Sequence, residues 1–138
     1  MKYYCIGIKG SGMATLACLL HDLGNNVSGY DDVKDYKFTQ EGLDKRNISI
    51  YYDGNHEIDK DTIVTYSRAF SDSHKEIVRM KKLGLTIKPY NEIIGELTDK
   101  FETISVSGTH GKTTTSSLIT HVVNSIYGCN YFIGDGSG

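Results

Sequence analysis

Short apolar runs alternate with longer amphipathic segments along the first 101 residues of the chain. The apolar runs have the length of buried strands and are bounded by turn-forming residues; they lie at residues 3–8, 27–30, 48–52, 62–66 and 85–88. Between them, apolar residues recur at helical spacing; these segments are residues 11–23, 38–46, 73–83 and 91–97. Gly24 is expected just beyond the first helix, and Asn91 as the N-cap of the last. The alternation predicts an α/β domain with a parallel sheet and flanking helices.

A second unit begins near residue 102, where the composition changes. The pattern predicts two strands around one helix, at residues 103–106, 112–126 and 131–133. The charged side chains from residue 102 onward are three: Glu102, Lys112 and Asp135. A stretch so low in charge is normally covered by more protein. We therefore expect a complete domain at residues 1–101 and the truncated start of a second α/β domain at residues 102–138.

The overall composition excludes several classes of protein. Hydrophobic residues make up 38% of the 138 positions and charged residues 23%, which is typical of a globular domain and not of a disordered tail. With 15 basic and 17 acidic side chains the net charge is −2, so no basic surface for nucleic acid is expected. No apolar run approaches the ~18 residues of a membrane span, so we expect no membrane partner.

The cysteines and histidines give weaker indications. Cys5, Cys18 and Cys129 form no CxxC pair, which is typical of reduced thiols in a cytoplasmic protein. Because the first residues already have the pattern of a strand, we expect no signal peptide. Cys5 and Cys18 fall inside a strand and a helix, so packing is favoured over nucleophilic catalysis. Four histidines lack metal-ligand spacing and are expected on the surface or on helix faces: His21, His56, His74 and His121.

A glycine-rich loop joins the first strand to the first helix, with the sequence Gly7-Ile8-Lys9-Gly10-Ser11-Gly12-Met13. Glycines allow a ligand to approach the backbone, and the N–H groups at a helix start favour an anion such as a diphosphate. The candidate phosphate-binding residues are Gly10, Ser11, Gly12 and Met13. Asp31 lies 19 residues after Gly12, at the end of the second strand. A carboxylate there often accepts a hydrogen bond from a ribose hydroxyl.

The loop departs from the dinucleotide fingerprint. A GxGxxG motif that starts at Gly10 requires Gly or Ala at position 15, where the chain has Thr15. The departure disfavours NAD as the ligand and favours another phosphate group. A turn that merely needs glycines remains an alternative.

A second loop, between the predicted strand at 103–106 and the helix at 112–126, contains a Gly-Lys-Thr motif. Its residues are Ser107, Gly108, Thr109, His110, Gly111, Lys112, Thr113, Thr114 and Thr115. In a P-loop the backbone N–H groups surround phosphates, the lysine reaches the outer phosphate oxygens, and the threonine hydroxyl binds Mg²⁺. The general pattern requires Gly where this chain has Val106, so the loop is a shortened variant. Lys112 and Thr113 are the candidate catalytic residues, with Thr113 as a Mg²⁺ ligand.

Two phosphate loops about 100 residues apart, each after a strand, resemble the Mur ligase family. The residues that carry the resemblance are Ile6 to Met13, Val27 to Asp31, Ser107 to Thr115, and the closing Phe132-Ile133-Gly134. His110 is similar to the alanine-adding branch, since other branches tend to have Asn or Lys there. The resemblance spans all 138 residues, which correspond to about the first third of such an enzyme.

The resemblance implies roles for particular residues. A Rossmann-like N-terminal domain would hold the UDP part of UDP-N-acetylmuramic acid, with Gly10, Ser11, Gly12 and Met13 at the diphosphate and Asp31 at the nucleoside. Ser67 would touch the nucleotide, as a matching segment does in relatives. A central domain would bind ATP, with Mg²⁺ on Thr113; its binding residues would be Gly108, Thr109, His110, Gly111, Lys112, Thr113 and Thr114. Arg68 and Tyr66 depart from the family pattern beside Ser67, and no role is assigned to His56.

The implied reaction is ATP-dependent ligation of L-alanine to the carboxylate of UDP-N-acetylmuramic acid, through an acyl phosphate, in peptidoglycan precursor synthesis. Three alternatives remain: a nucleotide-binding module without catalysis, an NAD-dependent oxidoreductase, and a sibling ligase that attaches a preformed peptide to the same UDP-sugar in cell-wall recycling. An oxidoreductase leaves the second loop unexplained.

We expect the chain alone to bind the UDP-sugar but to lack ligase activity, because the predicted second unit stops soon after Lys112. Its helix at 112–126 has an apolar face formed by Leu118, Ile119, Val122, Val123 and Ile126. Exposed apolar patches of this kind mark contact surfaces. We expect the helix to dock on the first unit or to mediate self-association.

Overall fold

The computed structural model describes residues 1–133, and the loop expected at residues 134–138 lies outside this part. A five-stranded parallel sheet has the order β3-β2-β1-β4-β5. The strands are β1 (Lys2–Ile6), β2 (Asn26–Tyr30), β3 (Ser49–Tyr51), β4 (Thr62–Tyr66) and β5 (Thr86–Pro89). The helices are α1 (Ser11–Asp22), α2 (Gln40–Lys45), α3 (Lys75–Lys82), α4 (Tyr90–Lys100) and α5 (Lys112–Ile126). The predicted α/β class with a parallel sheet is confirmed.

Helices cover both faces of the sheet, and the side chains of β1 accordingly point alternately into two separate cores. Cys5 packs in the cluster that contains Leu16 of α1, whereas Tyr4 and Ile6 pack in the cluster that contains Ile77 of α3. All five side chains are fully buried. A strand buried on both faces is apolar, which explains why residues 3–6 of β1 show no polar alternation.

The strand order creates a crevice at the carboxyl edge of the sheet. β1 is the central strand, and its Cys5 pairs with Gly29 of β2 on one side and Thr65 of β4 on the other. Helix α1 after β1 and helix α3 after β4 pack in the two different cores, so the loops that follow these neighbouring strands leave the sheet toward opposite faces. Open α/β sheets bind ligands at such a point.

The second unit differs from the prediction. Residues 103–106 and 131–133 do not form strands. Of the predicted β-P-loop-α-β unit, the described residues contain the loop and the helix α5 but neither strand. A strand needs a hydrogen-bonded neighbour, and no described strand pairs with either segment. Ile104, in the middle of the predicted strand, is 67% exposed.

Helix boundaries lie within three residues of the predicted ones, and the largest difference is at α4, which ends at Lys100 rather than at residue 97. Gly24 follows α1 in the left-handed region, as predicted. The Asn91 cap is wrong: α4 begins at Tyr90, and the extended Pro89 is its N-cap. Pro89 lacks an N–H group for the sheet ladder, so the strand ends where the helix begins. None of the helices within residues 1–133 is long and apolar enough to cross a membrane.

Helix α5 is not docked through its apolar face. No side chain of α5 is buried, and Leu118, Val122 and Ile126 are 63%, 56% and 65% exposed. The chain returns to the first unit only after the helix, where Ile133 is buried and its carbonyl accepts a 3.5 Å hydrogen bond from Thr15 Oγ1. Docking of this face on the first unit is therefore not observed in the described residues, and self-association remains a prediction.

Candidate nucleotide-binding site

The glycine loop after β1 is held by close contacts that only glycine permits. Gly7 has a positive φ of 79°, and a Cβ there would lie 2.5 Å from the Phe70 ring. Beneath the loop, a Cβ on Gly29 would lie 2.5 Å from the Cys5 carbonyl oxygen and 2.5 Å from Ile8 Cδ1. These two glycines let the loop rest directly on β2 and under the β4–α3 connection. The Gly7 and Ile8 N–H groups both donate to the Tyr30 carbonyl.

The N-terminus of α1 presents backbone donors at the crevice. Gly10 is an extended N-cap without a side-chain cap. Its carbonyl accepts the first intrahelical bond, from the Ala14 N–H at 2.8 Å. Among residues 1–133, no acceptor faces the N–H groups of Ser11, Gly12 or Met13. Orphan donors at the positive end of a helix dipole favour an anion. The four residues that the sequence predicts at a diphosphate, Gly10 to Met13, thus lie at the N-terminus of α1.

Asp31 uses its carboxylate within the protein. The side chain is buried, Oδ2 accepts from the Lys9 N–H at 2.9 Å, and Oδ1 accepts from the Val33 N–H at 3.0 Å. These bonds orient the glycine loop and the segment after β2 relative to each other. Each oxygen has a second lone pair, so contact with a ribose hydroxyl remains a prediction.

Asp32, the residue after Asp31, has an exposed carboxylate. Oδ1 accepts from the Tyr30 hydroxyl at 2.7 Å, and Oδ2 lies 2.8 Å from His74 Nε2. Burial raises the pKa of Asp32, but the hydrogen bonds from Tyr30 and His74 outweigh it, so the pKa is lowered overall. His74 Nδ1 accepts from the Glu76 N–H, so the tautomer with its proton on Nε2 satisfies both contacts. His74 is the N-cap of α3 and half-buried, which the sequence did not predict.

Ser67 lies across the crevice from the glycine loop. Its N–H donates to the Ile6 carbonyl at 3.2 Å, and its hydroxyl oxygen accepts from the Ala69 N–H at 3.3 Å. Three residues further on, Phe70 covers Gly7. The loops after β1, β2 and β4 therefore meet, as the predicted site requires.

The second loop has the same kind of helix start in a different setting. Gly111 is a left-handed N-cap at φ 74°, and the Lys112 ammonium donates to the Gly108 carbonyl at 2.7 Å and the Thr109 carbonyl at 3.5 Å. No acceptor within residues 1–133 faces the N–H groups of Lys112, Thr113 or Thr114. These donors, an exposed ammonium and the Thr113 hydroxyl fit a polyphosphate with Mg²⁺.

The two loops remain separate. Among the described residues no hydrogen bond joins 7–13 to 107–115, and every residue of 107–115 is exposed. Nor do residues 1–133 contain a group of three or more His, Cys, Asp or Glu side chains that could hold a metal ion. A Mg²⁺ ion at the second loop would therefore depend on Thr113 and on phosphate oxygens.

Sequence reasoning missed an interior network beneath the site. Glu76 is 1% exposed and accepts from the Tyr4 hydroxyl at 2.7 Å and from Arg79 Nη2 at 2.7 Å. Burial and the bond to Glu76 raise the pKa of Tyr4. His56 stacks on Tyr51 with ring centroids 3.7 Å apart. Burial, and to a smaller extent the positive charge of Arg79, lowers the pKa of His56. These contacts join β1, β3 and α3. Tyr4 and Glu76 are 72 residues apart, so no local sequence pattern predicts their contact.

The cysteines behave as packing residues. Cys5 is 0% exposed and Cys18 3% exposed. Burial raises the pKa of the Cys5 thiol to about 12. A thiol held in its neutral form is a poor nucleophile, which agrees with the predicted packing role.

A parallel sheet with a glycine loop at its switch point, followed by a Gly-Lys-Thr loop that opens a helix, defines a nucleotide-binding α/β protein. Residues 2–102 match the Mur ligase family, catalytic domain. The chain belongs to this family, and the resemblance noted from its motifs is confirmed.

Individual relatives agree with this assignment. The chain is 43% identical over 136 residues to a UDP-N-acetylmuramate–L-alanine ligase of Pediococcus pentosaceus, covering 99% of this chain and 31% of that protein. The crystal structure of the UDP-N-acetylmuramate-alanine ligase MurC of Thermotoga maritima matches with a TM-score of 0.77 at 26% identity, covering 99% of this chain and 35% of that one. The crystal structure of a murein peptide ligase of Psychrobacter arcticus matches with a TM-score of 0.72 at 25% identity. The match covers 90% of this chain and 26% of that one. The chain thus spans about a third or less of these relatives.

Proposed function

We propose that this chain is part of an ATP-dependent ligase that joins L-alanine to the carboxylate of UDP-N-acetylmuramic acid in peptidoglycan precursor synthesis, in the cytoplasm. The observation that carries the proposal is the pair of helix N-termini, on α1 and α5, each preceded by a glycine loop and each presenting N–H groups without an acceptor in residues 1–133. Two such sites suit two phosphorylated substrates. The relative from Pediococcus pentosaceus supports the choice of alanine and UDP-N-acetylmuramate.

In this proposal, residues 1–101 form the UDP-sugar domain. The N–H groups of Ser11, Gly12 and Met13 hold the diphosphate at the positive end of the α1 dipole. Asp31 orients the loop and can accept from the ribose, while Ser67 contacts the nucleotide from the opposite side of the crevice.

Residues 102–138 would begin the ATP domain, with residues 108–114 around the phosphates. The Lys112 ammonium would exchange its contacts with the Gly108 and Thr109 carbonyls for phosphate oxygens. The Thr113 hydroxyl would contribute one ligand to Mg²⁺. When bound, ATP supplies the phosphoryl group that activates a carboxylate as an acyl phosphate. The alanine amine would displace phosphate and form the amide, and the two separate sites would fix the reacting groups in position.

A second candidate is the sibling ligase that attaches a preformed peptide to the same UDP-sugar. It is supported by the structural match to the Psychrobacter arcticus murein peptide ligase, whose TM-score of 0.72 is near that of the alanine ligase. The full-length enzyme separates the two candidates when phosphate release from ATP is measured with L-alanine and with a tripeptide as acceptor.

The UDP-sugar site is tested by titrating UDP-N-acetylmuramic acid into the chain. Gly12→Val is expected to abolish binding, because its branched side chain occupies space that the diphosphate needs. A Cβ on Gly12 would meet Tyr90 at 3.6 Å, an ordinary contact, so Gly12→Ala should fold. Gly95→Ala is the matched control, since nothing lies within 4 Å of its added Cβ. Unchanged affinity in Gly12→Val would remove the assignment.

The ATP site is tested in the full-length enzyme. Lys112→Ala should lower turnover by about 10²–10³-fold, as expected for removal of one preorganised charge-stabilising donor. Thr113→Ala should raise the Mg²⁺ requirement, because it removes a metal ligand. Normal turnover in both variants would contradict the P-loop assignment. The 138-residue chain alone should release no phosphate in response to L-alanine.

A further inference from the structure

Lys9 lies in the glycine loop, yet its side chain turns inward. The residue is 1% exposed. Its ammonium donates to three consecutive carbonyls, those of Val33 at 2.9 Å, Lys34 at 3.4 Å and Asp35 at 3.1 Å. The ring of Tyr52 lies 4.7 Å from Nζ and adds a cation–π contact. The ammonium group of a lysine within a phosphate-binding loop would ordinarily be expected to contact the phosphate.

The backbone of Lys9 binds the same segment. Its N–H donates to Asp31 Oδ2 at 2.9 Å, and its carbonyl accepts from Thr39 Oγ1 at 2.7 Å. Thr39 is the N-cap of α2 but makes no side-chain capping bond to that helix. Its hydroxyl is used for the glycine loop instead. The N–H group, the carbonyl and the ammonium of Lys9 therefore all contact residues 31–39.

An ammonium group has three N–H donors, and here three carbonyl oxygens accept from them. No donor remains for a phosphate. The three carbonyl dipoles converge on one point, an arrangement that a central cation stabilises and that mutual repulsion would otherwise open. Burial of such a cation is favourable only when its donors are satisfied.

We propose that Lys9 is a positioning residue of the UDP-sugar site, which clamps residues 33–39 against the glycine loop without touching the ligand. The clamp joins the loops after β1 and β2 at the carboxyl edge of the sheet, the edge that holds the orphan N–H groups of Ser11, Gly12 and Met13. The identity of the ligand rests on the proposed function, whereas the clamp itself rests on the contacts of Lys9.

The test combines ligand affinity with a measure of the clamp. Lys9→Met keeps the length of the side chain and removes its charge. We expect the Kd for UDP to rise about tenfold or more, the scale of a lost hydrogen bond to a charged group. Trypsin sites at Lys34 and Lys37 lie inside the clamped segment, so their cleavage in the ligand-free variant should be faster than in the wild type. Lys9→Arg, which restores charge and donors, should recover part of both properties.

Two further variants isolate the effect. Lys60→Met removes an exposed lysine from the β3–β4 connection and should change neither property. Thr39→Val cuts only the bond to the Lys9 carbonyl and should give a smaller change in the same direction, which tests the clamp even if Lys9→Met does not fold. Thermal unfolding, followed by circular dichroism, identifies variants that lose the whole fold.

Two results would overturn the inference. Wild-type affinity in Lys9→Met would show that residues 33–39 do not shape the site. Lost affinity with unchanged cleavage at Lys34 and Lys37 would show that Lys9 contacts the ligand directly. If the wild type does not bind UDP, the proposed function fails, and the cleavage rates of ligand-free Lys9→Met still decide whether the clamp exists.

Discussion

The two glycine loops of this chain each open a helix, but their surroundings are opposite. The first lies on β2, is covered by Phe70 and leads into α1, which buries seven of its residues. The second, at residues 107–115, is exposed and leads into α5, which buries none. Both present free N–H groups at a helix start, because the N-caps Gly10 and Gly111 have no side chain that could accept from them. Only the first has its shape fixed by neighbouring elements.

The two loop lysines show the same contrast. The Lys9 ammonium binds carbonyls 24–26 residues away in the sequence, at 1% exposure. The exposed Lys112 ammonium binds carbonyls of its own loop, three and four residues away. A lysine committed to a distant segment stabilises tertiary structure, whereas one resting on its own loop can be transferred to a ligand at little cost.

The largest expected effect comes from truncating the same residue type in the two regions. Leu20 of α1 is 0% exposed and Leu118 of α5 is 63% exposed. Leu20→Ala should lower the free energy of unfolding by about 3 kcal/mol, as buried leucines do. Leu118→Ala should lower it by less than about 0.5 kcal/mol. Urea unfolding of the chain measures both, and equal costs would show that α5 is packed in solution.

A smaller effect is expected from the buried carboxylate of the first region. Glu76→Gln weakens its bonds to Tyr4 and Arg79 and should cost about 2 kcal/mol, because it leaves a half-buried guanidinium without its only charged partner among the described residues. The matched control is Glu96→Gln, which removes an exposed carboxylate paired with Lys88. Exposed pairs contribute about 0–1 kcal/mol. A cost for Glu96→Gln as large as that for Glu76→Gln in urea unfolding would contradict the difference in burial.

The smallest effect is a pH dependence from His56. Burial and Arg79 lower its pKa in the folded state, so the folded protein favours the neutral ring. The contribution to stability is present above the unfolded pKa of about 6.5 and is lost as pH falls toward the folded pKa. Stability should therefore decrease between pH 7.5 and pH 5, and less steeply in His56→Phe, which keeps a ring to stack on Tyr51. An NMR titration that places the His56 pKa above 6.5 would refute this.

Much of the first region could be predicted because its signals are local. Apolar periodicity predicts β1–β5 and α1–α4 within a few residues, and the glycines mark the loop that the α1 N-terminus completes. The strand expected at residues 103–106 was wrong for the opposite reason. Its apolar pattern is that of a strand, but a strand exists only when a neighbour accepts its hydrogen bonds, and no described strand lies beside it.

The sequence by itself determined the class of fold, the two candidate phosphate loops and the family, because spacing, glycine positions and a Gly-Lys-Thr motif are properties of consecutive residues. Tertiary structure alone decided where the polar side chains point. Lys9 turns to residues 33–35, Asp31 to the glycine loop, and His74 to Asp32. Each of these partners lies more than 20 residues away in the chain. Their geometry depends on the order in which the sheet places β2, β1 and β4 side by side. No local sequence pattern predicts that order.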